Sequence, residues 1–443
     1  MKGKENTTGA GRPVPPAIVT PGRAEMPPVR EDVLDNGVRL YMVDIPGQEV
    51  VRVSFVFRAG TSLQEVPFSA SAAVNLLSEG SRRSTAAQIA ERLDFYGSYY
   101  EVSTDRDYAV VTFCSLSRFF AETMEVAEEI LLAPEFPQDE VRTYCSKQKQ
   151  RLTVERTKVA FQARELFSRT LFGAEHPYGV SSPAERYDTL GRDDLIRFYR
   201  RYYTGRNCFA VASGDVNPDA RRRIAALAGK LPAGDAAGLS GMAEPVSLRY
   251  AFGSHPGALQ SALRVGTRLF PRTHPDFIPM QVVTTVLGGY FGSRLVRNLR
   301  EERGYTYGVF AGMVNLEYEG YMAIATEVAA AAAEDAVDQI FREMERLRNE
   351  AVEERELQMV KNIVAGEVMR ILDGPFGIAD VTIENVQNGT DNGYIGRFLE
   401  RVRSTTPEEV LATARKYLVP ERFTTVVVGD ADPSRAGKAW GRS

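Results

Sequence analysis

The chain has 443 residues, of which 44% are apolar and 25% are charged, values that are ordinary for a globular protein. Its formal net charge of −4 excludes the basic surface expected of a nucleic-acid-binding protein. No segment contains the roughly 18 to 20 consecutive apolar residues of a transmembrane helix, and the N-terminal residues lack the apolar region of a signal peptide. We therefore expect a cytoplasmic protein of two or three domain-sized units, with neither nucleic acid nor membrane as a partner.

The three cysteines are Cys114, Cys145 and Cys208. Their odd number and wide spacing argue against a disulfide framework and against a CxxC metal or redox site. We expect all three to be small buried residues in a protein of a reducing compartment.

Composition divides the chain into five segments. Residues 1–30 are rich in Pro, Gly and Ala and predict an extended arm. Residues 231–247 have a similar composition without hydrophobic periodicity and predict a flexible linker. The linker separates an N-terminal lobe, 31–230, from a C-terminal lobe, 248–432, and a tail occupies 433–443.

In the first lobe, β-rich runs predict strands at 51–57 and 108–114. A helix is expected from Thr85 to Tyr96, because Gly97 stands where the left-handed residue after a helix is favoured. Residues 99–104 are a candidate edge strand, to which an extended peptide could add.

In the second lobe, a helix is expected from Arg294 to Arg303, before Gly304. Strand-like runs follow at 305–313 and 321–327. A long amphipathic helix comes next, with its apolar face formed by Val337, Ile340, Phe341, Met344 and Leu347.

The most informative feature is an internal repeat. Residues 200–215 read RRYYTGRNCFAVASGD and residues 415–430 read RKYLVPERFTTVVVGD, a constant offset without gaps. Each copy predicts the end of a helix followed by a strand that closes at Gly-Asp. We therefore predict an α+β fold of two homologous lobes, each an antiparallel sheet with helices packed on one face, forming a clamshell.

A set of short motifs carries a family resemblance. In chain order these are LDNG at 34–37, RAG at 58–60, HPYG at 176–179, GGYFGSRL at 288–295, LREERGYTYG at 299–308 and the final GD at 429–430. Together with the duplication, they make the chain resemble the pitrilysin/insulinase family of inverted-zincin peptidases, which includes the processing peptidases. The short glycine run at 288–292 argues against the α-type processing subunits, which carry a longer glycine-rich loop.

Active members of that family carry an H-x-x-E-H motif, in which two histidines ligate zinc and the glutamate acts as a base. The resemblance places this motif on Ser71, Val74 and Asn75, with the third ligand near Leu152. None of these residues suits its role, since hydroxyl and amide groups are poor zinc ligands and valine is not a base.

The whole chain has three histidines, His176, His255 and His274, and no two of them are four residues apart. A rearranged zinc site using His255 and His274 remains an alternative to histidines that serve only in ordinary hydrogen bonds. We expect no metal or other cofactor on this chain and no peptide hydrolysis by the chain alone.

The resemblance also implies an arginine and a tyrosine that assist catalysis, and it places them at Arg300 and Tyr307. A phenol can stabilise a developing oxyanion, and a guanidinium can hold a substrate carbonyl. Tyr305 is a competitor, because alternate residues of a strand share a face. The opposite interpretation is a solvated helix arginine and an ordinary sheet tyrosine.

Two functions follow from the resemblance. The first is a non-catalytic subunit that binds an extended peptide in a chamber and supplies Arg300 and Tyr307 to a zinc-bearing HxxEH partner, forming a composite active site. The second is a catalytically inert structural or peptide-binding protein, either like a core subunit of a respiratory complex or a homodimer. The zinc is expected in the partner.

Overall fold

The computed structural model describes residues 26–239 and 244–433. Most of the predicted arm and tail therefore lies outside the described residues, as do residues 240–243 of the predicted linker. The boundaries proposed for the two lobes remain predictions.

The strands fall into two sheets. They are β1 (Arg30–Val33), β2 (Arg39–Asp44), β3 (Val50–Phe57), β4 (Tyr99–Thr104), β5 (Ala109–Leu116), β6 (Cys208–Gly214), β7 (Tyr250–Ser254), β8 (Gln260–Leu269), β9 (Val309–Asn315), β10 (Gly320–Ala329) and β11 (Thr424–Gly429). The first sheet has the order β1-β2-β6-β3-β5-β4 and the second has the order β7-β11-β8-β10-β9.

Helices pack around both sheets. They are α1 (Ser69–Asn75), α2 (Ala86–Phe95), α3 (Phe120–Leu132), α4 (Gln138–Glu155), α5 (Val159–Phe172), α6 (Arg192–Tyr202), α7 (Pro218–Gly229), α8 (Phe277–Gly288), a π-helix (Val296–Glu302), α9 (Ala333–Asn349), α10 (Glu354–Ile371), α11 (Pro375–Gln387), α12 (Tyr394–Ser404) and α13 (Pro407–Tyr417).

Apart from β1, which has no counterpart, the two sheets have the same topology. In the first, β2 pairs with β6 in parallel, and β6, β3, β5 and β4 follow in antiparallel order. In the second, β7 pairs with β11 in parallel, and β11, β8, β10 and β9 follow in antiparallel order. The predicted α+β fold of two homologous lobes is confirmed, and each mainly antiparallel sheet contains one parallel pair.

The sequence repeat occupies equivalent places in the two sheets. Its copies end in β6 and β11, each of which lies between a parallel and an antiparallel neighbour. Gly214 closes β6 at φ +112°, and a Cβ there would lie 2.1 Å from the carbonyl oxygen of Val50. The first copy therefore requires glycine at this position.

Several local expectations are met. Thr85 caps α2 in a reciprocal capping box with Gln88, and Gly97 has a φ of +60°. The predicted edge strand is β4, at the end of the first sheet. On α9, Val337, Ile340, Met344 and Leu347 are fully buried.

Each sheet is also covered by a helix from the other half of the sequence. Helix α5 packs on β7, β8 and β11 of the second sheet, while α11 packs on β2, β3 and β6 of the first. Glycine permits one close contact, because a Cβ on Gly266 of β8 would lie 2.7 Å from the ring of Phe167 on α5. This exchange of helices joins the lobes and was not predicted.

Side chains from both halves also form ion pairs. Arg52 of β3 pairs with Asp380 of α11 at 2.7 Å, and Arg58 pairs with Glu317 at 2.9 Å. Of the cysteines expected to be buried, Cys145 and Cys208 are, whereas Cys114 is partly exposed. No helix in the described residues is both long and apolar enough to cross a membrane.

Candidate functional site

Helix α1 carries the positions at which active relatives would hold zinc. The Ser71 hydroxyl donates to the Phe68 carbonyl oxygen at 3.2 Å, and the Asn75 amide donates to the Ser71 carbonyl oxygen at 2.7 Å. Val74 is fully buried in the core of the first lobe. The Ser71 and Asn75 side chains thus form hydrogen bonds with backbone carbonyl groups of α1 and its N-cap, and Val74 packs among apolar side chains.

The surroundings of α1 do not fit a zinc ion either. Leu152, the position nearest the expected third ligand, packs against the same core. Tyr144 of α4 lies beside Ser71, and burial raises the pKa of its phenol to about 12. The described residues contain no group of three His, Cys, Asp or Glu side chains placed to hold a metal ion.

The three histidines have separate local roles. His176 is buried, and its Nδ1 accepts from the backbone amide of Tyr178 at 3.1 Å. His274 Nδ1 accepts from the amide of Asp276 at 3.1 Å, whereas His255 Nδ1 lies 3.4 Å from the side-chain oxygen of Gln162. His255 and His274 share no contact, so nothing in their geometry supports the rearranged zinc site.

The predicted helix that carries Arg300 is present and is π-helical from Val296 to Glu302. A π-helix is rare and is often found at functional sites. Two buried polar contacts hold it: Arg294 makes a bidentate pair with Glu356, and the Asn298 amide donates to Glu343 at 2.7 Å. The helix is therefore a rigid support for its exposed side chains.

Arg300 itself points to an aromatic surface. Its Cζ lies 4.5 Å from the centroid of Phe291, whose side chain is 68% exposed. Among the described residues, Arg300 has no carboxylate within ion-pairing distance. Its guanidinium can therefore still donate hydrogen bonds to a ligand or a partner.

The strand expected at 305–313 begins only at Val309, so the prediction that Tyr305 and Tyr307 alternate on one strand is wrong. Tyr305 packs against the core of the second lobe and donates to Asp335 at 2.9 Å. Tyr307 is 93% exposed. The Thr326 hydroxyl bonds the Thr306 hydroxyl and the Gly308 carbonyl oxygen, and these contacts hold the loop on both sides of Tyr307.

Tyr307 lines a cavity of about 310 Å³ at the junction of the two halves, here called the Tyr307 cavity. Its wall includes Ala160 of α5, Arg264 of β8 and Thr326 of β10. Neither a hydrogen bond nor a ring contact joins Arg300 to Tyr307. The structure therefore places both residues on the second lobe without assembling them into one site.

A second cavity, of about 670 Å³, is also lined by residues of α5. It is called the Arg106 cavity here, and its wall includes Phe68, Thr104 at the end of β4, Arg106, Phe161 and Arg164. It thus reaches from the end of the edge strand to the helix that crosses between the lobes. Sequence reasoning missed Arg106, Arg164 and Arg264, because no motif contains them.

Comparison with known proteins agrees with this description. Residues 189–364 match the family described as the peptidase M16 inactive domain. An uncharacterized zinc protease of Streptomyces coelicolor is 22% identical over 424 residues, 93% of this chain and 91% of that protein. A probable inactive metalloprotease of Bacillus subtilis is 22% identical over 158 residues, 35% of this chain and 36% of that protein.

The fold also has a close structural neighbour. The crystal structure of a peptidase M16 inactive domain from Pseudomonas fluorescens superimposes with a TM-score of 0.83 at 22% identity, covering 91% of this chain and 98% of the other. A match to an inactive domain fits a chain whose α1 cannot hold a catalytic zinc. The predicted family resemblance is therefore confirmed: residues 189–364 match the peptidase M16 inactive domain, and the two-lobed fold is that of M16-like peptidase structures.

Proposed function

We propose that this chain is the non-catalytic subunit of a heteromeric zinc peptidase. A partner subunit with an HxxEH helix would carry the zinc, and this chain would bind an extended peptide and contribute Arg300 and Tyr307 to a composite site. The observation that supports this most directly is the 93% exposure of Tyr307 on a loop whose neighbours are fixed by hydrogen bonds.

The contrast with Tyr305 strengthens the argument. Tyr305 is used internally, because its hydroxyl bonds Asp335. The Tyr307 hydroxyl has no such partner in the described residues, and Arg300 contacts only an exposed aromatic ring. An aromatic and a guanidinium group held in place without internal partners suit recognition of another molecule.

The edge strand supplies a place for the peptide. Among the described strands, β4 pairs with β5 alone, so its outer hydrogen-bonding groups are available to an added strand. Tyr99, Glu101 and Ser103 are exposed along it. An extended peptide added there would reach the Arg106 cavity, since Thr104 ends β4 at its wall.

The test is co-expression with an HxxEH-bearing M16 subunit from the same source, followed by peptidase assays of each chain and of the mixture. We expect activity only in the mixture. The Tyr307→Phe substitution should lower kcat by about 10² to 10³, the usual loss when one oxyanion donor is removed. The Arg300→Ala substitution should raise KM by about tenfold or more.

Two matched controls belong to this experiment. Tyr305→Phe removes the neighbouring phenol hydroxyl, and Arg297→Ala removes an exposed arginine from the same π-helix. Both should leave the kcat of the mixture near that of the unmodified complex. Full activity of the partner alone, or of the mixture carrying Tyr307→Phe and Arg300→Ala together, would refute the proposal. Peptide binding by an inactive mixture would instead favour the inert peptide-binding protein.

A further inference from the structure

Three arginines from separate parts of the chain lie along helix α5: one is on the helix, one donates to Ser168 of the helix, and one lines a cavity with Ala160 of the helix. They are Arg106 in the loop after β4, Arg164 on α5 and Arg264 on β8. Burial raises the pKa of Tyr321, and the positive charges of all three arginines act in the opposite direction. Tyr321 also packs against Phe167 and Phe172 of α5, so the ring is fixed among them.

The three guanidinium groups influence one another as well. Burial lowers the pKa of Arg106 and of Arg264, and in both cases the charge of Arg164 lowers it further. Like charges brought together in partly buried positions destabilise the empty site, and an anion bound between them would relieve that repulsion.

The direct partners of Arg106 and Arg164 in the described residues are uncharged. Arg106 donates to the Tyr178 carbonyl and to the Ser168 hydroxyl, and Arg164 stacks on Phe161 at 4.7 Å. Within residues 26–239 and 244–433, none of the three arginines forms an ion pair. The carboxylate whose charge raises the pKa of Arg264 is Glu327, and that side chain is exposed.

Asp107 lies beside Arg106, but its oxygens are engaged elsewhere. One accepts from the Tyr178 hydroxyl at 2.7 Å and the other accepts from the Glu317 amide at 2.9 Å. Burial also raises the pKa of Asp107, which weakens its value as a counter-charge.

The acidic residues around the Arg106 cavity are similarly occupied. Arg156 binds Glu165 with two hydrogen bonds, and Arg201 binds Glu65 with one. Asp105 accepts hydrogen bonds from two backbone amides. Glu175, which is exposed, has no hydrogen-bond or ion-pair partner among the described residues. The cationic groups Arg106 and Arg164 therefore line this cavity with little opposing charge, and Arg264 lines the Tyr307 cavity beside Ala160, one helical turn before Arg164.

An apolar strip leads to the arginines. Helix α5 covers β7, β8 and β11 and reaches Tyr321 of β10, and the same sheet face continues to the edge strand β9. Phe310 and Val314 of the edge strand β9 are 59% and 37% exposed there. They lie opposite Ala325 and Tyr321 of β10 in the antiparallel register. The strip and the cationic cluster thus share one face.

We propose that this face binds an extended peptide with an acidic side chain, whose carboxylate is received by Arg164 and Arg264 while apolar side chains lie on Phe310 and Val314. The inference rests on the proposed function, because it names the chemical class of the peptide offered to Tyr307. Since Arg264 and Tyr307 line the same cavity, the acidic residue would lie close to the bond that is cut.

The test uses the full chain alone and three labelled peptides of the same apolar sequence, with Glu, Gln or Lys at the central position. Binding is measured by fluorescence anisotropy at low and at high salt. We expect the Glu peptide to bind about tenfold or more tightly than the Gln peptide, with a preference that declines as salt screens the charges. Equal affinities for Glu and Gln, or no binding of the Glu peptide, would overturn the inference.

Substitutions show whether the preference for Glu comes from Arg164 and Arg264 or from the positive charge of the chain in general. Arg264→Gln and Arg164→Gln should each remove most of the preference for Glu, and Arg264→Glu should shift it toward Lys. Arg222→Gln is the matched control, because it removes the same charge from the exposed face of α7 and should leave the preference intact. Thermal unfolding of each variant shows whether it is folded. Loss of the preference in the control, or its persistence in the folded Arg264→Gln and Arg164→Gln variants, would overturn the inference.

The two proposals can fail separately. An active mixture with equal affinity for the Glu and Gln peptides would retain the composite site and refute the acidic preference. A clear Glu preference in a chain that activates no HxxEH partner would support the binding face and refute the catalytic role.

Discussion

The two lobes share one strand order but expose different chemistry. In the first lobe, α1 presents Ala72, Ala73 and Val74 to the core, and its polar side chains bond their own backbone. In the second lobe, the loop after the π-helix leaves Tyr307 in solvent. Sheet order depends on backbone pairing and on burial, which both halves retain, whereas chemistry depends on a few side chains that can change without altering the sheet.

The largest effect on stability should come from restoring a carboxyl group at the zinc-motif position of the first lobe. Val74→Glu would put a carboxyl group into a fully buried apolar site, and we expect a loss of about 3 to 5 kcal/mol in the free energy of unfolding. Urea denaturation measures it. Asn75→Glu, at the neighbouring exposed position, should change stability by no more than about 0.5 kcal/mol. A small effect at Val74 would mean that α1 still has a polar pocket beside it.

A smaller effect should separate the two copies of the repeat. Gly214→Ala combines a left-handed φ with a clash against the Val50 carbonyl, and we expect a loss of about 3 kcal/mol. At Gly429 the nearest atom is the Ser261 hydroxyl oxygen, which can rotate away, so Gly429→Ala should cost at least about 1 kcal/mol less. Equal losses in chemical denaturation would show that the two turns are equally constrained.

The contact between the lobes should respond to pH. Burial raises the native pKa of Asp107, partly offset by the hydrogen bonds from Glu317 and Tyr178. A raised native pKa contributes stability that is complete below the unfolded value and is lost as pH rises through the native value. Asp107→Asn removes this loss. The Tm of the variant relative to the unmodified protein should therefore increase as the pH rises above about 4, the usual pKa of an aspartate in an unfolded chain.

The opposite trend would contradict this sign. A relative Tm that fell with rising pH would mean that the native site favours the ionised form of Asp107. Arg106, Asp105 and Glu317 would then need to be reconsidered as its neighbours.

The smallest effect concerns the two tyrosines. Tyr305→Phe breaks a hydrogen bond to Asp335 and should cost about 1 to 2 kcal/mol, whereas Tyr307→Phe should lie within about 0.5 kcal/mol of the unmodified chain. Paired urea titrations compare them. The order of the two losses is the critical result, because a larger loss at Tyr307 would give it an internal structural role.

Much of the fold could be predicted from local patterns. The helix over 85–96 follows from Thr85, Gln88 and Gly97, and the edge strand at 99–104 follows from residue type and position. The duplicated sheet follows from a gapless repeat, because similar sequences form similar local elements. The loss of the zinc motif could be predicted because it depends only on which residues occupy 71, 74 and 75.

The site could be predicted only in part. Arg300 and Tyr307 were found through a motif, but the strand assigned to Tyr307 was wrong, because a run of aromatic residues has strand propensity whether or not a neighbour pairs with it. Only the structure separates Tyr305, against Asp335, from Tyr307, in solvent. The roles of Arg300 and Tyr307 stay predictions.

The sequence by itself therefore determined the duplicated α+β frame, the family resemblance and the absence of zinc ligands at α1, since each depends on residue order or local periodicity. Tertiary structure alone decided that α5 and α11 cross between the sheets, and that Arg106 and Arg264 lie beside the helix that carries Arg164. Those contacts join residues far apart in the chain, and their geometry follows from how helices and sheets pack, which no local pattern records.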